Sequence, residues 1–103
     1  SLADLAFLGK WLLTPDDDSQ ELDVFFLEDD GELTCLLEAI PATRISADDD
    51  HLFMFRPVNM VTRGIVLCGA KPDGTVRGYS ARCNALECEV VAVTGELVEP
   101  ITQ

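Results

Sequence analysis

Leu2-Ala3-Asp4-Leu5-Ala6-Phe7-Leu8-Gly9-Lys10-Trp11-Leu12-Leu13 is the stretch on which the fold class turns. Leu5, Leu8 and Leu12 recur at i, i+3 and i+7, which puts them on one face of a helix with Trp11 beside them. Ser1 is placed to cap that helix, and Asp4 lies in its first turn. Gly9 argues the other way, because glycine weakens a helix interior. A strand starting near Gly9-Lys10-Trp11 is the competing assignment. The spacing predicts a helix over residues 2–13. Thr14-Pro15-Asp16-Asp17 offers a second helix start, with Thr as cap and Pro in the first position. Strand-forming residues follow it at once, which limits it to a single turn.

From Leu22 onward the pattern is β. Residues 22–27 and 33–40 are predicted strands, joined by Glu28-Asp29-Asp30-Gly31-Glu32 with an Asp-Gly pair at its centre. Pro41 is expected to end the second strand, because it has no N–H to donate. Residues 52–55 form a further strand, closed by Pro57. Residues 62–70 and 74–83 flank Lys71-Pro72-Asp73-Gly74, a strong turn signal. Residues 87–94 and 97–101 flank Gly95-Glu96, read as a third hairpin. The expected fold is therefore α+β: one domain over residues 1–103, with an N-terminal helix and six to seven short antiparallel strands. A small barrel or half-barrel is the variant of that sheet. Residues 22–27 are apolar on both faces, so the strand needs a cover on each side. The predicted helix supplies one; a second copy of the chain, making a homodimer, is the alternative.

Composition narrows the function. Of 103 residues 48% are hydrophobic and 25% charged, as in an ordinary globular domain, yet 7 bases face 19 acids for a net charge of −12. That balance excludes nucleic-acid binding through a basic face and disfavours an anionic membrane surface. No apolar run approaches the roughly 20 residues of a spanning helix. Leu5 to Leu13 is apolar, but Asp4 precedes it and no small-residue cleavage site follows, so a secretory leader is not expected there. All of the excess charge falls in the first half, where residues 1–51 hold 14 acids against Lys10 and Arg44. It is gathered in three runs, Asp16-Asp17-Asp18, Glu28-Asp29-Asp30 and Asp48-Asp49-Asp50, each between apolar segments and so each in a loop or at an element end. Converging, these nine carboxylates form a negative pole that steers a basic partner. Arg77 and Arg82 are the residues able to neutralise one of the runs from within.

Chemistry is sparse. His51 is the sole histidine and sits beside three aspartates, so a catalytic triad has no support and His51 is read as part of a polar turn. Asp16, Asp18 and Gln20 have the first spacings of a calcium loop, but Glu21 and Leu27 stand where that loop needs Gly and Glu. No catalytic, cofactor or metal residues are assigned. Cys35, Cys68, Cys83 and Cys88 lack the two-residue gap of zinc or redox motifs. They are read as free thiols in a cytoplasmic protein, with two disulfides in an exported protein as the alternative.

Gly9-Lys10-Trp11-Leu12-Leu13, with Val24-Phe25-Phe26 and Asp30-Gly31-Glu32-Leu33, resembles the first strand and hairpin of lipocalin-like small-ligand barrels. The resemblance covers about a quarter of the chain. It implies a Gly-x-Trp that plugs one barrel end and a small-molecule site within. Two functions are thus expected. The first is a non-enzymatic acidic module, of inhibitor or immunity type, that engages a basic, nucleic-acid-handling protein through the nine acids. The second is a small-molecule-binding barrel, or a structural subunit of a larger assembly.

Overall fold

The computed structural model describes residues 7–46, 50–69, 71 and 73–101. Among these residues the chain is all-β, with eight strands: β1 (Gly9–Pro15), β2 (Leu22–Asp29), β3 (Glu32–Leu37), β4 (Ile40–Ser46), β5 (His51–Phe55), β6 (Thr62–Leu67), β7 (Thr75–Cys83) and β8 (Cys88–Pro100). Each pairs antiparallel with its neighbour in sequence, and β8 returns to β1, closing a barrel. Closure removes both exposed sheet edges at once.

The α+β expectation is therefore overturned. Residues 9–15 run as a strand, alternating inward Gly9, Trp11, Leu13 and Pro15 with outward Lys10, Leu12 and Thr14. Leu12, which the helical spacing placed with Leu5 and Leu8, faces away from Trp11. Gly9 decides this locally. It has φ +134, open essentially to glycine, and a Cβ there would meet the carbonyl of Glu99 and lie 2.9 Å from Leu97. The register with β8 also shifts between Lys10 and Trp11. Such a bulge bends a strand into a barrel wall. The part of the predicted helix before Phe7 lies outside the described residues.

Three further differences follow from turn chemistry. Residues 33–40 break into β3 and β4 at Glu38 and Ala39, whose φ values of 50 and 66 make the two central positions of a tight hairpin turn. Pro41 does not end a strand but is the second residue of β4, opposite Leu36. Gly95-Glu96 is no turn at all. Gly95 faces inward within the 13-residue β8, paired with Val76 on one side and Leu13 on the other.

The strand alternation fills the interior from one end. Phe7, Trp11, Phe26, His51 and Phe53 form a connected aromatic group, with ring centroids of Phe7 and His51 4.8 Å apart and of Phe26 and Phe53 5.3 Å apart. The indole Nε1 of Trp11 donates to the carbonyl of Phe7 at 2.8 Å, so the one polar atom of that ring is satisfied in the core. Leu8, Leu13, Val24, Leu33, Cys35, Leu37, Phe55, Ile65, Leu67, Val76 and Val93 are buried with them. Each large side chain enclosed this way stabilises the fold by about 1.5–3 kcal/mol.

A methyl group at Gly95 has no room: it would lie 2.6 Å from Val76 Cγ1 and 2.8 Å from Leu13 Cδ2. Gly95→Ala is expected to lower stability by about 1–3 kcal/mol through overpacking. Urea denaturation should show a lower midpoint at an unchanged slope.

Candidate functional site

An up-and-down barrel has two ends, and this one treats them differently. The segment before β1 and the β2–β3, β4–β5 and β6–β7 connections lie at the aromatic-plugged end. The β1–β2, β3–β4, β5–β6 and β7–β8 connections lie at the other, here called the mouth.

The nine predicted acids do not share an end. Asp16, Asp17 and Asp18 follow β1 and lie at the mouth. Glu28, Asp29 and Asp30 close β2 at the plugged end, where Asp50 leads into β5; Asp48, Asp49 and the side chain of Asp29 lie outside the described residues. Glu28, Asp30 and Asp50 thus share one end, and Asp16, Asp17 and Asp18 lie at the other. Several of these acids also hold turns. Asp17 Oδ1 accepts from the backbone N–H of Ser19 at 3.0 Å and from the Ser19 hydroxyl. That hydroxyl bond, and then the N–H, keep its carboxyl below the ordinary aspartate range. Asp18 and Asp30 take φ 64 and 49, a left-handed conformation that aspartate tolerates. Asp73, at the plugged end, accepts from the Thr75 hydroxyl at 2.6 Å and from its N–H at 3.0 Å, and its carboxyl is lowered by the same bonds.

At the mouth, side chains from all eight strands converge: Pro15 from β1, Leu22 from β2, Leu37 from β3, Ile40 from β4, Phe55 from β5, Arg63 from β6, Arg82 from β7 and Glu89 from β8. They enclose two adjoining clefts of about 210 and 290 Å³, which share Glu38, Arg63 and Arg82 as a dividing wall. The smaller also takes in Arg56 and the β5–β6 loop. In the antiparallel register Arg63 stands opposite Arg82, and Arg82 opposite Glu89. Among the described residues the ion pair within 4.0 Å is Lys10–Glu99, on the outer wall; Arg56, Arg63 and Arg82 join none. Sequence reasoning missed these arginines as a group. The signal was present, because counting outward from the Lys71–Gly74 turn sets 63 against 82.

A third cleft, of about 410 Å³, lies on the outer wall against Phe25, Leu36 and Val98. It is where the doubly apolar β2 turns its second face, with Phe25 and Leu27 half-buried. Its lysine, Lys10, is the one already held by Glu99.

His51 belongs to neither the mouth nor a polar turn. It is buried at the start of β5 against Phe7 and Phe53. The cysteines also depart from four free thiols: Cys83 and Cys88 are bonded across the β7–β8 hairpin beside Arg82 and Glu89. Cys35 is free and buried, Cys68 free and exposed. No group of three or more metal-ligating side chains occurs among the described residues, and no helix there is long and apolar enough to cross a membrane.

Protein-family models, curated sequences and solved structures all yield no match to the chain.

Two tests follow from the thiols. Alkylation of the native protein is expected to modify exposed Cys68 ahead of Cys35, which reacts only on unfolding, with Cys83 and Cys88 protected until reduction. Partial burial and neighbouring Asp50 raise the Cys68 thiol, so its rate should climb with pH. Mass spectrometry counts the adducts. Burial pushes the Cys35 thiol up to about 12 from an ordinary 9.0. Above pH 9 the unfolded chain therefore loses a proton that the folded chain keeps. Stability should fall as pH rises from about 9 toward 12, by at most about 1.4 kcal/mol per pH unit from this group. Cys35→Ala should remove that share of the slope in pH-dependent denaturation.

Proposed function

We propose that this domain is a non-enzymatic binding barrel that takes a small molecule at its mouth. The observation that carries the reading is the convergence of eight strands on one opening, apolar below and lined by arginines that no described residue pairs. Small-ligand sites use apolar contact with a few polar groups that fix orientation, and the smaller cleft combines Leu37, Ile40, Phe55 and Val61 with its arginines. Each cleft falls below the roughly 300 Å³ at which drug-sized sites begin, so the ligand is small. A non-enzymatic role is supported by the position of His51, enclosed by rings at the far end from the mouth. The exposed hairpin bridge supports residence in an oxidising compartment, where disulfides form and persist, in place of the cytoplasm.

A panel of monocyclic fragments, followed by ¹H–¹⁵N correlation spectra, tests the mouth. Shifts are expected at Leu37–Ile40, Phe55–Arg63 and Ser80–Arg82. Shifts confined to the outer wall near Phe25 and Val98, or none for any fragment, would overturn the reading.

A second reading rests on the plugged end. Glu28, Asp30, Asp50 and Asp73 occupy it with Lys71. This supports electrostatic steering of a basic protein to that end. Neutralising Glu28, Asp30 and Asp50 together should slow association with such a partner and flatten its salt dependence. Neutralising Asp16, Asp17 and Asp18 should change neither. Equal effects from both sets in stopped-flow binding would count against it.

A further inference from the structure

We infer that the ligand of the smaller mouth cleft is a compact monoanion, a carboxylate carried on a single ring or a short branched chain. This rests on the reading of the mouth as a ligand site and specifies its chemistry. The first argument is register. Arg63 and Arg82 are direct cross-strand partners on the inward face of β6 and β7. Like charges set opposite one another destabilise a sheet, and among the described residues no carboxylate lies within 4.0 Å to relieve them. Glu89, opposite Arg82 on its other side, and Glu38 in the cleft wall offset part of that repulsion. An anion bound between the two guanidiniums adds counter-charge through charge-assisted hydrogen bonds, which are stronger than neutral ones.

Charge then chooses between the two clefts. The smaller is lined by Arg56, Arg63 and Arg82 against the single carboxylate of Glu38; the larger sets Asp17, Glu38 and Glu89 against Arg63 and Arg82. An anion is therefore drawn to the smaller. The whole chain carries −12, and its long-range field repels a dianion more strongly than a monoanion. That favours carboxylate over phosphate.

Size sets the tail. The cleft holds about 210 Å³, somewhat more than the roughly 150 Å³ of an engineered cavity that admits benzene. Its floor is Leu37, Ile40 and Phe55, and beneath them Phe26, Phe53 and Leu13 are fully enclosed. A long alkyl chain has no channel to follow into the barrel.

The test uses the whole chain and four probes: benzoate, benzyl alcohol, benzylamine and dodecanoate, each titrated by ¹H–¹⁵N correlation spectra at low and high salt. Benzoate is expected to shift mouth resonances and to weaken with salt. Benzyl alcohol should bind the same place about tenfold more weakly, a charge-assisted bond being about twice as strong as a neutral one. Benzylamine should not bind there, and dodecanoate should bind no more tightly than benzoate. Arg82→Ala, at an exposed position, should cost about tenfold in benzoate affinity. Arg63→Lys keeps the charge and the fold but loses the planar fork, and should weaken benzoate less. Glu89→Gln removes the carboxylate facing Arg82 and should strengthen it. Benzyl alcohol or benzylamine matching benzoate at the mouth, or Arg82→Ala without effect, overturns the anion class and leaves the mouth as a site. Dodecanoate binding more tightly, with shifts reaching Phe26 and Phe53, overturns the size limit. No mouth shift with any of the four overturns the mouth reading itself.

Discussion

The pairing of β1 with β8 is the constraint on which the rest of this molecule depends. Seven hairpins laid side by side would make an open sheet with two free edges and one wet face. The ladder from Gly9–Pro100 to Pro15–Val93 turns that sheet into a closed wall. Once closed, every strand has an inside and an outside, and the two-residue alternation of the sequence becomes a sorting rule. The closure needs a bend and close contact, and both are met by glycine. Gly9 supplies the φ that no other residue takes easily, and Gly95 leaves room for Leu13 and Val76 to meet across β8.

The same alternation that buries Phe26, Phe53 and Trp11 puts Arg63 on the inward face of β6 ahead of Ile65 and Leu67, and Arg82 on that of β7 beyond Val76 and Gly78. A charged side chain aimed at a barrel axis is costly in the middle and tolerable at the rim, where water still reaches it. The aromatic plug fixes which rim that is. It leaves the opposite end to combine an apolar floor with charged walls, and so the division of labour between the ends comes from where the rings run out.

Much of the β pattern was legible. The Asp30-Gly31 turn and the Lys71–Gly74 turn stand where dipeptide chemistry put them, with Gly31 and Gly74 at φ 80 and 81. Glu38-Ala39 was not legible, because neither residue favours the left-handed conformation both adopt; the hairpin is held by β3 and β4 pairing on each side of it. Gly95 was misread for the opposite reason. Glycine marks turns and close contacts alike, and only the partner strands tell which. The first helix failed because spacing at 3.6 and alternation at 2 share many positions in a short apolar stretch, and residues 9–15 gained more by closing the barrel. For the site, the acids were visible as runs, but where a run falls depends on which direction its strand travels, and β1 and β2 travel in opposite directions. The arginines formed no run at all. They meet only through register, which is a property of the paired strands and not of either segment alone.

The single tryptophan of the chain sits in the plug, hydrogen-bonded to Phe7 and shielded from solvent, with Leu13 between it and the rim. Its emission therefore reads the integrity of the closed wall and is deaf to whatever enters at the far side. An optical assay on the untouched chain will report melting faithfully and occupancy hardly at all, so a compound can be resident while the spectrum looks empty.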